Sequence, residues 1–194
     1  MILGITGGTG TGKSSVCDYF KNQGFIIIDS DAVARSVCAK GTACLDEIVQ
    51  AFGQGITDCE GNLKRKELGR IVFSDAQKLK NLNGITHKYI IESIKETIRA
   101  NSGKNIVIDA PLLIETGLDA ICTKTLCVLA DRDTRLKRIM ARDLLSESDA
   151  QDRISSQPGD DFYISKCDYV LYNNGDFESL SAKLSDIFGG TNGR

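Results

Sequence analysis

The sequence predicts an α/β protein in which helices flank a parallel sheet of five strands. Three observations indicate this fold. Five short apolar runs alternate with segments of helical periodicity. A glycine-rich turn directly follows the first run, and the segment at about residues 41–102 has helical spacing without a clear long strand. Strands that alternate with helices favour a parallel sheet with right-handed crossovers.

The five apolar runs predict the strands. Their continuous hydrophobicity is typical of strands buried on both faces of a parallel sheet. Such sheets bind ligands at the carboxyl ends of their strands, where Thr6, Asp29, Asp109, Ala130 and Asn173 lie. We therefore expect the chemistry to collect at one edge of the sheet. The predicted strands are 2–6, 25–28, 105–109, 125–129 and 169–172.

Helical periodicity accounts for most of the remaining chain. Gly24 is placed to cap the first helix at its C-terminal end. The charged stretch 131–157 predicts two helices with a break near Ser146, and a last helix runs to about Phe188. We expect residues 189–194 to be a frayed tail. The first two predicted helices are 13–23 and 32–40.

Size and charge restrict the class of protein. The 194 residues are enough for a single domain with a sizeable core, and we expect residues 1–194 to form one. A balance of 24 basic and 26 acidic residues argues against a general nucleic-acid binder. The apolar runs are too short to span a membrane, and the first lacks the basic start of a signal peptide. We therefore expect a cytoplasmic protein that binds neither nucleic acid nor membrane.

The seven cysteines do not indicate a metal or redox motif. No two of them form a C-x-x-C pair, which disfavours zinc knuckles and thioredoxin-like sites. Their number is odd, and we expect them to be small buried hydrophobic residues in a reducing compartment. They are Cys17, Cys38, Cys44, Cys59, Cys122, Cys127 and Cys167.

Residues 7–14 match the phosphate-loop pattern G-x-x-x-x-G-K-[ST]. Glycines let backbone N–H groups turn inward around phosphate oxygens, and the following helix presents its positive end to the anion. The Lys13 ammonium can reach the β- and γ-phosphates of ATP, and the Ser14 hydroxyl can bind Mg²⁺. An ordinary glycine-rich turn is the alternative, which the preceding strand and following helix disfavour. The predicted ATP contacts in the loop are Gly8, Thr9, Gly10, Thr11, Gly12, Lys13, Ser14 and Ser15.

Three carboxylates follow predicted strands. Asp29 and Asp31 stand where small-molecule kinases with a phosphate loop face the γ-phosphate, so one could accept the proton of an attacking hydroxyl. The alternative for each is that it caps the following helix. Asp109 could hold Mg²⁺ as a Walker B acid does, or be a strand-end turn residue before Pro111.

The stretch 132–157 is rich in basic side chains and lies where a helical lid would close over ATP. Its arginines could neutralise charge on the transferring phosphoryl group. The alternative is a solvated face paired with Asp131, Asp133 and Asp143. We expect one or two of these arginines to be functional. The basic residues of the stretch are Arg132, Arg135, Lys137, Arg138, Arg142 and Arg153.

Two other classes of protein are disfavoured. His87 is the only histidine, and no acid–serine arrangement surrounds it, so a hydrolase triad is not supported. Residues 58–61 match the D-x-x-G of GTPases by letters, but they do not follow a buried strand and we find no N-K-x-D. We predict a turn there and not a switch segment.

Taken together, these motifs resemble the dephospho-CoA kinase family over nearly the whole chain. The phosphate loop alone indicates the P-loop NTPase type of fold, and the later motifs make the resemblance specific. The matching positions are Thr6-Gly7-Gly8, Gly12-Lys13-Ser14, Asp29-Ser30-Asp31, Ala34-Arg35, Phe52-Gly53, Asp58, Gly61, Arg65, Leu68, Val72-Phe73, Leu82-Asn83, His87, Pro111-Leu112-Leu113, Glu115, Arg138, Arg142, Gln157, Asp168 and Asn173-Asn174-Gly175.

The resemblance implies an activity: ATP and Mg²⁺ are used to phosphorylate the ribose 3′-hydroxyl of dephospho-CoA, which gives CoA and ADP. It implies that Asp31 is the general base, that Lys13 and Arg142 stabilise phosphoryl charge, and that Ser14 binds Mg²⁺. ATP and dephospho-CoA are then the expected partners of a monomer or small homo-oligomer. Another small-molecule kinase, acting on nucleosides or nucleotides, is the nearest alternative, and an ATP-binding protein without catalysis is a more distant one.

The resemblance also implies where the acceptor binds. The helical insertion, with Arg65 and His87, would hold it together with Leu112 and Leu113. Asn174 and Gly175 would lie near the adenine of ATP. The chain departs from the family pattern at Thr9, Lys88, Arg135 and Cys167, where isoleucine, proline, glutamine and alanine are common. None of these departures removes a catalytic group, but Lys88 removes a proline constraint from the acceptor side.

Overall fold

The computed structural model describes residues 1–189, so residues 190–194 of the predicted tail lie outside the described residues. The chain divides into two compact units. The sheet unit consists of residues 1–28 and the chain from residue 104 onwards, and the insertion unit consists of residues 29–103. The insertion predicted at about residues 41–102 lies within the insertion unit, which begins earlier, at Asp29. The grouping of residues 1–194 into one domain stays a prediction.

Five strands form one sheet in the order β2-β3-β1-β4-β5. Strand β1 pairs in parallel with β3 and with β4, and β4 pairs in parallel with β5. The predicted α/β fold with a five-stranded parallel sheet is confirmed. The strands are β1 (Ile2–Thr6), β2 (Ile26–Asp29), β3 (Ile106–Asp109), β4 (Lys124–Leu129) and β5 (Tyr169–Tyr172).

The helices lie close to their predicted positions. Ser146 caps the helix that follows it by accepting a hydrogen bond from the Asp149 amide, so the predicted break in 131–157 is confirmed. A short helix at Asp160–Ile164 was not predicted. In chain order the helices are α1 (Lys13–Asn22), α2 (Ser30–Val37), α3 (Ala43–Phe52), α4 (Arg65–Phe73), α5 (Ala76–Ala100), α6 (Arg132–Asp143), α7 (Glu147–Ser155), α8 (Asp160–Ile164) and α9 (Phe177–Phe188).

The core of the sheet unit fixes the register of the strands. Leu3 and Ile5 of the central strand β1 and Leu126 of its neighbour β4 are fully buried, and Phe20 of α1 packs against Phe188 of α9 in an edge-to-face contact. A shift of one residue in any of these strands would move its buried side chains to the opposite face of the sheet. The carboxyl ends of β1, β3, β4 and β5 are therefore held at the same edge.

The insertion unit has a separate core, formed where α2, α3 and α4 pack against α5. Ile48 and Ile56 are almost completely buried in it. The predicted turn at 58–61 is present, because Asp58 accepts hydrogen bonds from the amides of Glu60 and Asn62 between bridged residues Thr57 and Leu63. The D-x-x-G letters therefore belong to a turn between α3 and α4.

The cysteines are all free thiols. Cys17, Cys38, Cys44 and Cys127 are buried, as expected of small hydrophobic residues, whereas Cys59 is exposed. Burial raises the pKa of the half-buried Cys122 to about 12, so that thiol stays protonated at neutral pH.

None of the described helices has the length and hydrophobicity needed to cross a membrane.

Asp168 joins the starts of β4 and β5. Its Oδ2 accepts hydrogen bonds of 2.8 Å from both the hydroxyl and the amide of Thr125, and its Oδ1 accepts one of 3.1 Å from Lys124 Nζ. The hydroxyl and amide of Thr125, followed by Lys124, hold the pKa of Asp168 below its usual value. The ionised carboxylate is therefore part of the folded structure at neutral pH.

We expect Asp168→Asn to destabilise the protein at pH 7 and to matter less in acid. A carboxyl whose pKa is lowered by folding stabilises the native state above its unfolded pKa, and this contribution is lost as the pH falls through the folded pKa. The loss at pH 7 should be about 1 kcal/mol, the size of a hydrogen bond to a partly exposed charge. Urea unfolding at pH 7 and pH 3 should show the difference from the parent protein shrinking at pH 3.

Asp176→Asn is the matched control for this prediction. Asp176 caps α9 by accepting a hydrogen bond from the Ser179 amide, and asparagine caps a helix about as well as aspartate. The control variant should stay close to the parent at pH 7. A difference between Asp168→Asn and the parent that is equal at both pH values would show that the charge of Asp168 plays no part.

Candidate active site

The phosphate loop takes a shape that requires glycine. Gly7, Gly10 and Gly12 have positive φ angles of 141°, 77° and 89°. A Cβ on Gly7 would lie 2.2 Å from the Val128 carbonyl oxygen, and a Cβ on Gly12 would lie 2.3 Å from Asn173 Nδ2. No real side chain tolerates such approaches. The loop therefore packs directly against β4 and the end of β5.

Lys13 lies across this loop. Its Nζ donates hydrogen bonds to the carbonyl oxygens of Gly7 at 2.6 Å and of Gly8 at 3.4 Å. The buried Thr11 hydroxyl donates to the Gly8 carbonyl at 2.9 Å and so braces the loop from inside. Ser14, the next residue in α1, is exposed. The ammonium and the hydroxyl are the groups with which such loops bind phosphate and its metal ion, and this role stays a prediction for Lys13 and Ser14.

Arg138 and Asn173 support the loop from the other side. Arg138 Nη1 donates to the carbonyl oxygens of Thr11 at 3.2 Å and of Asn173 at 2.9 Å. Asn173 Nδ2 also donates to the Thr11 oxygen, at 2.9 Å. We assigned neither residue as a loop contact from the sequence. Both contacts join positions more than a hundred residues apart, which no local pattern reveals.

Asp109 ends β3 beside α1. Burial, followed by the nearby Asp109 carboxylate, raises the pKa of the Cys17 thiol, and Lys13 acts in the opposite direction. Asp109, Cys17 and Lys13 are therefore near neighbours. The oxygen atoms of Ser14 and Asp109 are the hard donors that Mg²⁺ prefers.

These donors fit a magnesium ion that arrives with its nucleotide. Among the described residues, no group of three or more His, Cys, Asp or Glu side chains could hold a metal ion. Mg²⁺ is usually bound by one or two protein oxygens together with phosphates and water, and seldom by an all-protein cage. Ser14 and Asp109 suit that mode of binding, although their metal role stays a prediction.

Arg142 faces an acidic neighbour and not the loop. At the end of α6 its Nε and Nη2 donate to the two Asp143 oxygens at 2.8 Å each, and Arg153 Nη1 donates to Asp143 Oδ2 at 2.7 Å. Arg142 holds the pKa of Asp143 below its usual value. This pairing is the arrangement that the solvated-face alternative describes. The catalytic role of Arg142 therefore stays a prediction.

Asn174 and Gly175 follow β5. The Asn174 side chain accepts a hydrogen bond from the Asp131 amide at 2.8 Å and donates one to Asp131 Oδ2 at 2.7 Å. The Gly175 carbonyl oxygen accepts from Arg138 Nη2 at 3.4 Å. These bonds hold the segment after β5 against the start of α6. The predicted adenine contact from this segment is not tested by these bonds.

The two predicted acceptor leucines differ in exposure. Leu112 is 57% exposed, whereas Leu113 is 0% exposed. Leu113 packs so closely on Gly4 that a Cβ there would lie 2.7 Å from its Cδ2. Of these two side chains only that of Leu112 is accessible, so a contact from Leu113 would have to come from its backbone.

In the insertion unit the two aspartates have different surroundings. Asp29 caps α2 by accepting a hydrogen bond of 2.9 Å from the Ala32 amide, and Arg35 lies 3.8 Å from its other oxygen. Asp31 lies in the first turn of the same helix and is exposed. The capping alternative therefore applies to Asp29. The general-base role of Asp31 stays a prediction.

Arg65 and His87 lie on α4 and α5, which pack together. Arg65 Nη2 donates to the Arg35 carbonyl oxygen at 3.1 Å. Helix α5 runs without interruption through Lys88, whose Nζ donates to both Glu47 oxygens of α3 at 2.8 and 2.6 Å. The lysine thus replaces a proline constraint with an ion pair between two helices of this unit.

A phosphate loop that joins the first strand and first helix of a five-stranded parallel sheet is the arrangement of P-loop nucleotide-binding proteins. Comparisons with known proteins identify the family within this class. The family model described as dephospho-CoA kinase matches residues 1–179. The chain therefore belongs to the dephospho-CoA kinase family.

Individual relatives agree with this assignment. A dephospho-CoA kinase of Fusobacterium nucleatum is 40% identical over 184 residues, which cover 95% of each chain. A crystal structure from Thermus thermophilus has 30% identity and a TM-score of 0.85, and covers 100% of this chain and 98% of that one. The dephospho-CoA kinase of Campylobacter jejuni has 27% identity and a TM-score of 0.72, with 98% of each chain covered.

We expect Gly12→Ala to weaken ATP binding by about tenfold or more, because displacing the loop misplaces the groups that meet the phosphates. A Cβ at this position would meet Asn173 Nδ2 at 2.3 Å. Gly24→Ala is the matched control at the opposite end of α1. Gly24 has a similar φ of 83°, but a Cβ there would meet nothing within 4 Å.

Both variants should lose about 1 kcal/mol of unfolding free energy from the positive φ angle. Only Gly12→Ala should raise the Kd for ATP in titration calorimetry. Equal Kd values for the two variants would show that the close approach to Asn173 does not shape the nucleotide site.

Proposed function

We propose that this chain transfers the γ-phosphate of ATP to the ribose 3′-hydroxyl of dephospho-CoA and so produces CoA and ADP. Membership of the dephospho-CoA kinase family over residues 1–179 carries this proposal. The shape of the phosphate loop supports it, because Lys13 lies across a loop of glycines at the start of α1. ATP and dephospho-CoA are therefore the substrates.

The phosphate loop binds and orients ATP. Backbone N–H groups and the start of α1 surround the phosphate oxygens, and the Lys13 ammonium neutralises charge on the β- and γ-phosphates. A bound Mg²⁺ would supply further charge neutralisation, held by the Ser14 hydroxyl and the Asp109 carboxylate. Phosphoryl transfer depends almost entirely on such positioning and charge stabilisation.

Asp31 is the general base of this proposal. The neighbouring Asp29 already accepts the capping bond of α2, whereas Asp31 is exposed in the first turn of that helix. An exposed carboxylate can accept the proton of the attacking 3′-hydroxyl and hold that oxygen in line with the γ-phosphate.

Arg142 stabilises the transferring phosphoryl group. Its guanidinium already binds one carboxylate with two parallel hydrogen bonds, and the same planar donor set matches two phosphoryl oxygens. To act, it has to exchange Asp143 for phosphate. Arg153 also donates to Asp143, so this carboxylate keeps a cationic partner after the exchange.

The acceptor is held by the insertion unit in this proposal. Arg65 and His87 supply polar groups from α4 and α5, and the exposed Leu112 supplies an apolar surface from the sheet unit. Asn174 and Gly175 contact adenine through the segment after β5.

Product analysis tests the activity directly. Purified protein is incubated with Mg-ATP and dephospho-CoA, with adenosine and nucleoside monophosphates as parallel acceptors. We expect equal amounts of CoA and ADP from dephospho-CoA alone, and no product when a chelator removes Mg²⁺. Phosphorylation of another acceptor without formation of CoA would contradict the proposal and retain the phosphate-loop chemistry.

We expect Asp31→Asn to lower kcat by about 10²- to 10⁴-fold, the usual contribution of a general base, and to leave the Kd for ATP nearly unchanged. Asp29→Asn is the control, because asparagine can still accept the capping bond of α2. Its kcat should stay close to that of the parent. If Asp29→Asn lost activity and Asp31→Asn kept it, the base would be Asp29.

A further inference from the structure

We propose that Arg135 and Gln157 are positioning residues that hold the Gly8–Thr9 segment of the phosphate loop in its ATP-binding shape. We name these two side chains the Thr9 clamp. The proposal rests on the proposed function only in taking ATP as the ligand of the loop. It concerns neither the acceptor nor the chemical step.

The Thr9 clamp holds both polar groups of one backbone residue. The Thr9 carbonyl oxygen accepts a hydrogen bond of 2.9 Å from Arg135 Nε, and the Thr9 amide donates one of 2.7 Å to Gln157 Oε1. The two side chains also meet, because Arg135 Nη2 donates to the same Gln157 oxygen at 3.3 Å. Two fixed backbone groups leave Thr9 little freedom to rotate its peptides.

Arg135 is buried, which is unusual for a cation. It is only 7% exposed, and burial lowers the pKa of its guanidinium, although not enough to discharge an arginine at neutral pH. Its carboxylate neighbour Asp160 is 3.7 Å away. Burying a charge costs free energy unless hydrogen bonds offset the lost hydration. The loop oxygen of Thr9 and the Gln157 oxygen supply such bonds.

The loop packs tightly against the clamp. A Cβ on Gly8 would lie 2.5 Å from Arg135 Nη2 and 3.0 Å from Gln157 Oε1. A Cβ on Gly10 would lie 2.8 Å from the Arg135 backbone oxygen. The glycines of this segment are therefore fitted to α6 and to Gln157, two residues after α7, and not only to a phosphate.

The clamp acts on ATP through the loop and not by touching the reacting atoms. With Thr9 held, the neighbouring loop N–H groups are already aimed when the phosphates arrive, so binding does not have to order them. Loss of the clamp should therefore weaken ATP binding. The chemical step at saturating ATP should be little affected, because the bound phosphates themselves order the loop.

The experiment measures the Kd for ATP in the absence of acceptor, followed by kcat and both KM values. Gln157→Met removes the acceptor of the Thr9 amide bond and keeps a side chain of similar length. We expect it to raise the Kd and the KM for ATP by roughly five- to tenfold, the cost of about one hydrogen bond. The kcat and the KM for dephospho-CoA should change by less than about twofold.

Two further variants separate positioning from mere structural support. Gln157→Glu retains an oxygen for the Thr9 amide and a partner for Arg135, so it should restore the Kd to within about threefold of the parent. Gln151→Met makes the same glutamine-to-methionine change within α7, where the Gln151 side chain donates a hydrogen bond to Glu147 and none is recorded to the loop, and it should leave the Kd unchanged. Arg135→Met combined with Gln157→Met should cost little more than either change alone, because both act on Thr9.

Three results would overturn the proposal. An unchanged Kd in Gln157→Met would show that the clamp does not shape the loop. A lower Kd would show that Gln157 competes with phosphate for the Thr9 amide. A joint change of kcat, both KM values and the thermal midpoint would show general structural damage. Because ATP binding is measured without an acceptor, a chain that made no CoA would still give a clear answer.

Discussion

The close approach of the phosphate loop to its neighbours is the constraint on which the rest of the site depends. Two of its glycines have no room for a Cβ, since the Val128 oxygen and Asn173 Nδ2 occupy that space. The same closeness brings the Thr11 carbonyl within hydrogen-bonding distance of Arg138 and Asn173. Loop carbonyls that are bonded to side chains behind them favour a loop whose N–H groups face the ligand, apart from that of Thr9, which donates to Gln157. Packing and anion binding are thus two consequences of one arrangement.

The charge of the site is local. The whole chain has a net charge of −2, yet Lys13, Arg135 and Arg138 all donate hydrogen bonds to carbonyl oxygens of a single loop. Among the arginines of α6, Arg135 is buried against the loop, whereas Arg142 at the end of the helix is largely exposed. A buried cation is screened less by water and salt, so it keeps its influence on a bound anion. The net charge of the chain therefore did not predict the positive electrostatic potential that these cations produce at the loop.

Much of the fold and part of the site could be predicted from the sequence. The bounds of β1 and β5 were correct because continuous apolar runs are ended by glycine or polar residues. The short helix α8 was not predicted, since five residues are too few to show the helical periodicity of hydrophobic residues. In the site, the loop has a local pattern, whereas Arg138 and Asn173 reach it only through the folding of distant segments. The sequence also could not show that Leu112 is exposed and Leu113 is buried, because the burial of Leu113 comes from its packing against Gly4.

Asp29 at the end of β2 and Asp31 in α2 show that a sequence motif can indicate two candidate residues whose roles only the structure can distinguish. Both have the same side chain, and either could cap a helix or act as a base. The backbone decides between them, since a residue with extended φ and ψ just before the helix can accept from an unpaired amide of the first turn, here that of Ala32, and that residue is Asp29. Asp31, two positions later, is already helical and exposed, so its carboxylate is not committed to the cap. The start of α2 therefore uses Asp29 as its cap and leaves Asp31 available for the proposed role as general base.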